Sequence, residues 1–217
     1  MLIIPVTRHG FAKLATVNMT ASLQKLAGDF ARAVGQGNWP EALEACDGLL
    51  VIMPDHAGVL YNRALVLKEL GRHEERIDSL ARALACDPGH SNARFELACA
   101  QMDKGLFQEA AAGFAAHLEN QPGDGDARLN LGQCLLRLGR AGEALDHLRA
   151  AQEKTGTSDT AAALATALRE TGDLDGCEAV LEDLGPGPEN AALRLKVMTQ
   201  GARGRFALRP GQPRVAR

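Results

Sequence analysis

Glycine and proline recur in this chain at a fixed interval. Gly37, Gly71, Gly105 and Gly139 stand 34 residues apart, Gly172 follows after 33, and Pro54, Pro88 and Pro122 keep the 34-residue spacing. Self-similarity at such a period marks a repeat array, in which each unit buries its apolar face only by stacking on the next. The stretch Ala57–Pro88 shows the unit: two amphipathic helical patterns joined by a tight turn at Gly71-Arg72. Alanine and leucine fill the apolar positions, as close helix packing demands.

The pattern predicts five units. Helix A of the first lies near 22–35 and helix B near 39–52, making a unit of about 22–54, and the later units cover about 57–88, 91–122, 125–156 and 158–184. Gly185-Pro186-Gly187-Pro188 cannot continue a helix, because proline lacks the amide donor and glycine is entropically costly. Residues 189–200 regain a helical period and read as a capping helix over the last unit. Residues 1–21 precede the array. They read as a disordered leader, or as an artefact of a start upstream of Met19. Residues 201–217, rich in glycine, proline and arginine, read as a disordered basic tail.

Charge is unevenly placed. Residues 194–217 carry seven cations and no acid, and residues 1–18 carry two cations; set against the net charge of −3, this leaves −12 on the stretch between. The tail has three readings: solubilising disorder, contact with nucleic acid or an anionic surface, and folding back onto the acidic array. The acidic body and the absence of stacking aromatics weigh against nucleic acid. No long uncharged apolar run suggests a membrane span, and MLIIPV is too short for the apolar core of a secretory signal. Cys46, Cys86, Cys99, Cys134 and Cys177 are scattered, form no CxxC pair, and fall mostly in helical patterns, which points to small buried thiols in a reducing cytoplasm.

The residues at fixed positions of the units resemble the tetratricopeptide repeat over about 22–188. That family wants an apolar residue fourth in helix A and a small one eighth: Leu60 and Ala64 supply them in the second unit, and Ala98, Gly132 and Ala165 supply the small one later. An aromatic after the glycine turn is filled by Trp39 and Phe107, and the alanine three residues on by Ala42, Ala110 and Ala144. Phe30, Arg76, His73, Ala141 and Cys177 depart from the pattern. The resemblance implies an all-α, right-handed superhelical solenoid of antiparallel helix pairs, about five units plus a capping helix.

It also implies a function. Helix A of this family lines a groove for a peptide or protein segment. Carried over by position, Tyr61, Phe95 and Leu129 form an apolar ladder one unit apart, Asn62 and Asn130 share the next position, and Leu65, Cys99 and Gln133 follow a turn later. Arg137 and Arg169, with Lys68 and Met102, fall towards the helix ends. The competing reading packs Phe95 and Leu129 against the neighbouring helix. A clamp for the acidic tail of chaperones is argued against, because Ala27, Ala31, Asn92 and Glu96 occupy its positions and only Asn62 fits.

No HExxH, Cys/His ligand spacing, nucleophile elbow or phosphate loop is present, and His56 and His90 share one inter-unit loop position better explained by the repeat than by a metal. Pro122-Gly-Asp-Gly-Asp126 lacks the later ligands of a calcium loop and reads as a helix entry. The expectation is therefore a cytoplasmic, non-catalytic scaffold without cofactor or metal, binding a protein partner. A second expectation is the regulatory or targeting part of a bacterial transferase, of the sulfotransferase kind, whose catalytic domain lies outside this sequence. Self-association through the apolar ends of the array is a third, opposed at one end by residues 189–200.

Overall fold

The computed structural model describes residues 8–201 and 204–205, with side chains from 19 to 200. Eleven α-helices follow one another: α1 Arg8–Gly35, α2 Trp39–Ile52, α3 Ala57–Glu69, α4 His73–Cys86, α5 Ser91–Asp103, α6 Phe107–Asn120, α7 Gly125–Arg137, α8 Ala141–Thr155, α9 Ser158–Thr171, α10 Leu174–Glu182 and α11 Pro188–Thr199. A two-residue ribbon, β1 Gln200–Gly201 with β2 Gly204–Arg205, follows. The chain divides into two compact units, residues 1–100 and 101–217, with the boundary inside α5. In the first, α1 packs on α2, α2 on α3, and α3 on α4; in the second, consecutive helices from α6 to α10 pack together and α11 joins α9. The architecture is all-α, built from antiparallel helix pairs.

The glycine period has a structural cause. Gly37, Gly71, Gly105, Gly139 and Gly172 all adopt positive φ, between 67° and 92°. Each ends a helix A in the left-handed conformation, where a Cβ is strained. The next amide then reaches back five residues: Asn38 to Ala33 O, Arg72 to Leu67 O, Leu106 to Gln101 O, Arg140 to Leu135 O and Asp173 to Leu168 O, at 2.8–2.9 Å. This is the 6→1 bond of a Schellman turn, and it sets the reversal from A to B five times over.

Helix entries repeat as well. His56 Nδ1 accepts the Val59 amide, His90 Nδ1 accepts the Ala93 amide, Asp124 Oδ1 accepts the Ala127 amide and Thr157 Oγ1 accepts the Thr160 amide. The shared loop position of His56 and His90 is thus an N-cap, and Asp124 and Thr157 occupy it in the next two repeats. Asp124 also bonds His117 Nε2 at 2.8 Å, tying α6 to the start of α7, and His117 is almost fully buried.

Large and small side chains interlock where A crosses B. On helix B, Leu80, Leu148 and Leu181 are buried at corresponding positions, and on helix A so are Ala64, Gly132 and Ala165. Ala98 and Phe114 hold the same two positions of the repeat and are also buried. Each buried leucine removes apolar surface worth about 1.5–3 kcal/mol. The fit is tightest in the fourth pair, where a Cβ on Gly132 would lie 2.5 Å from Leu148 Cγ. The exception Phe30 has its counterpart here, since helix B of that pair carries the small Cys46, 1% exposed, where the others carry Leu or Phe. Phe30 itself is partly buried against the cluster of Ala33, Ala42, Leu43, Val66 and Leu67.

One reading of the sequence needs amendment. The stretch 1–21 is not leader throughout, because α1 begins at Arg8, and residues 11–27 contain neither glycine nor proline to stop it. Residues 1–7 lie outside the described residues. So does the basic tail, apart from Gly201 and the backbone of Gly204–Arg205.

Two measurements check this account. Gly132→Ala should lower stability by about 1–3 kcal/mol, since overpacking against Leu148 outweighs the better helix propensity of alanine; thermal melts read it. Burial of the Asp124 carboxyl acts to raise its pKa, but the Ala127 amide and His117 outweigh this and hold it below the usual carboxylate range. Its contribution is therefore complete above the ordinary carboxylate pKa of about 4 and disappears as pH falls through the lower folded value. Asp124→Ala should cost about 0.5–2 kcal/mol at neutral pH, and Asp124→Asn should keep most of the cap while flattening the acid limb of the stability profile.

Candidate functional site

In the first unit, Tyr61, Asn62 and Leu65 project from α3, and Phe95 and Cys99 from α5; all five are half-buried. Tyr61 packs on the core cluster of Leu60, Ala64, Leu80, Ala83, Ala93 and Ala100. Its ring also meets the His90 imidazole with centroids 4.8 Å apart. Burial, then the negative charge of Glu96, push the Tyr61 phenol pKa up, so it stays a neutral hydrogen-bonding group. Tyr61 is partly core and partly surface.

Charge on this face is largely internal. Arg76, on α4 where the repeat pattern has alanine, is 1% exposed and donates to the Glu96 carboxylate at 2.8 Å and to the Glu96 carbonyl at 3.2 Å. Lys68 approaches the same carboxylate at 3.3 Å. Glu96 thus links α3, α4 and α5, and removing it would take the Glu96 carboxylate away from a buried guanidinium. Nothing in the repeat pattern signalled this triad; an arginine at an alanine position was its trace.

In the second unit, Leu129, Asn130 and Gln133 on α7 are half-buried and Arg137 is exposed. Gln133 and Arg137 come together on two neighbouring cavities. One, of about 330 Å³, is completed by Met102, Asp103, Gly105 and Phe107, and there the Arg137 guanidinium stands 5.7 Å from the Phe107 ring centroid, within cation–π range. The other, of about 410 Å³, lies among α7, α9 and α11, with Asp159, Thr166, Leu193, Lys196 and Gln200 on its walls. Leu129 and Asn130 line neither cavity. Arg169 is used differently from the rest: its Nη1 donates to the Val197 carbonyl and fastens α9 to α11.

Lys196, Asp159, Thr166 and Gln200 were missed from the sequence. Residues 189–200 were legible as a helix, but which of its sides would meet α7 and α9 depends on the loop at 185–187, where Gly185 has φ 72° and Asn190 donates to Leu184 O. Among the described residues no group of three or more His, Cys, Asp or Glu could hold a metal ion, and no helix is long and apolar enough to cross a membrane. Cys46 and Cys134 are buried, which pushes their pKa values to about 12 and about 11 and keeps them as thiols.

The geometry is shared with solved structures. YrrB, described as "a TPR protein with an unusual peptide-binding site", superposes with a TM-score of 0.70 at 19% identity, covering 77% of this chain and 88% of YrrB. MamA from Desulfovibrio magneticus RS-1 gives 0.71 at 14% identity, covering 81% and 96%. A further MamA structure gives 0.71 at 17% identity, covering 87% and 98%. At these identities the likeness speaks for the fold. No curated protein is a significant match for the sequence. The tetratricopeptide repeat family model matches residues 29–91 and 95–159, more than half of the sequence. With that match, the left-handed glycine turns and the small-residue crossings, the chain belongs to the tetratricopeptide repeat family.

Proposed function

We propose that this chain is a non-catalytic interaction scaffold that binds a peptide or protein segment on the exposed faces of its A helices. The observation that carries the reading is the open cleft of about 410 Å³ among α7, α9 and α11, where Gln133, Arg137, Lys196 and Gln200 converge above a floor of Ala162, Ala163 and Leu193. Apolar floor and polar wall together fit an extended segment: the floor takes a side chain, and the amides hold its backbone. Two cations against the single acid Asp159 favour a segment carrying a carboxylate. Arg137 stands within cation–π range of the Phe107 ring, which favours its place on the cleft wall.

Within residues 1–100, Tyr61, Asn62, Leu65, Phe95 and Cys99 offer a second, more apolar contact face. The unusual peptide-binding site ascribed to YrrB supports the reading by analogy. Cys46, Cys134 and Cys177 are buried, Cys99 is half-buried and Cys86, against the expectation of buried thiols, is exposed; a reducing, cytoplasmic setting would keep them all as thiols.

A displayed library of random 12-residue peptides provides the test. Peptides selected by the wild-type chain should bind Gln133→Ala/Arg137→Ala about tenfold or more weakly, with an unchanged circular dichroism spectrum, since truncated hot-spot residues cost more than ~1 kcal/mol each. Tyr61→Ala/Phe95→Ala/Asn130→Ala should weaken those that use the apolar ladder. Equal affinity for wild type and both variants would refute the assignment.

A further inference from the structure

A second cleft, of about 670 Å³, opens on the other side of α11, and none of the proposed contact residues lines it. Its walls are Leu174, Asp175, Cys177, Glu178, Leu181 and Glu182 of α10 with Arg194 and Met198 of α11. The apolar part is open to solvent: Leu174 is 61% exposed and Met198 57%, and Leu195, one turn before Met198, is 65% exposed. The rim is acidic. Residues 173–183 hold five carboxylates and no cation, and Asp175, Glu178 and Glu182 form no ion pair among the described residues. Arg194, the one cation on the walls, is occupied by the backbone: its Nε donates to Leu181 O at 2.9 Å and its Nη2 to Gly185 O at 3.1 Å. An apolar trough edged by unneutralised carboxylates asks for an occupant that is apolar and basic.

Such a segment is covalently at hand. Residues 206–217 read FALRPGQPRVAR, with Phe206, Leu208 and Val215 apolar, Arg209, Arg214 and Arg217 basic, and no acid. The ribbon supplies the direction. Gln200 pairs with Arg205 and Gly201 with Gly204 in antiparallel register, so the backbone of Arg205 lies beside Gln200, two residues from Met198. Charge then decides between the two clefts flanking α11. The cleft towards α7 presents Arg137 and Lys196, which repel arginine, whereas the cleft towards α10 presents three free carboxylates.

We propose that residues 206–217 dock in the α10–α11 cleft, with their apolar side chains on Leu174 and Met198 and their arginines on Asp175, Glu178 and Glu182. Docking covers the exposed apolar end of the array from within the same chain. A tether of a few residues gives an effective concentration of the order of mM. A contact with a Kd of about 0.1 mM in trans is therefore about nine-tenths closed in cis. Held mainly by charge, it loosens with salt.

Amide NMR on the full 217-residue chain tests this. Deleting residues 206–217 should shift the amides of α10 and the second half of α11, and a synthetic peptide of residues 206–217 should restore the original positions with a Kd near ~0.1 mM at low salt, weakening about tenfold by roughly 0.5 M salt. Arg209→Glu/Arg214→Glu/Arg217→Glu should mimic the deletion, and so should Glu178→Lys/Glu182→Lys. Combining the two reversals should restore the closed spectrum, an outcome that damage to the fold would not give. Unshifted α10 amides on deletion would overturn the proposal, as would a combined variant that stays open. Shifts that depend on protein concentration would overturn it in favour of a second copy as the occupant. None of these readouts involves the peptide library, so this inference and the proposed function stand or fall separately.

Discussion

The close approach of paired helices at one small residue is the constraint on which the rest of this structure depends. Ala64, Gly132 and Ala165 leave room on helix A, and Leu80, Leu148 and Leu181 fill it from helix B. Packing at crystal-like density tolerates neither a void nor an added methyl group there. In four of the five pairs a small residue on helix A accompanies a large one on helix B. The first pair reverses the order, with Phe30 at the helix A position and Cys46 at the helix B position. A rule written for one column of the repeat breaks at Phe30, which packs instead on Ala33, Ala42, Leu43, Val66 and Leu67.

Turn and cap chemistry carry the remaining architecture with little help from the core. Five positive-φ glycines, each followed by a 6→1 backbone bond, fix the A-to-B reversal. The N-cap position accepts histidine, aspartate or threonine, since all that is required is a lone pair facing an unsatisfied helix amide. Histidines that could have been mistaken for ligands are thereby committed to helix entry. Because local chemistry secures each pair, side chains on the exposed faces of the A helices are left free to vary, and that freedom gives the family its use in recognition.

Charge is where this chain departs from a plain array. Arg76 enters the core at an alanine position, where Glu96 meets its charge from the next helix and Lys68 approaches the same carboxylate. Arg169 is diverted to the α11 backbone. Arg137 and Lys196 stand in the cleft on one side of α11, and the unneutralised carboxylates of α10 in the cleft on the other. One short helix thus separates two clefts of opposite character.

By itself the sequence determined the periodic part of the molecule. Glycine turns, closing prolines and small-residue columns are local or next-neighbour requirements, so they are written as residue types at fixed spacing and can be counted. It also placed Gln133 and Arg137 on one helix face, because helical geometry fixes which side chains share a side. The helical start at Arg8 needed only the absence of breakers, but the lack of an apolar period there hid it. Which residues meet across helices was decided by the tertiary structure alone. The convergence of Lys196, Gln200 and Asp159 with Gln133 and Arg137 depends on how α11 leaves the Gly185–Gly187 loop. The Arg76–Glu96–Lys68 triad depends on three helices, with Lys68 and Glu96 28 residues apart in sequence. Neither follows a period, and a contact that occurs once leaves no interval to read.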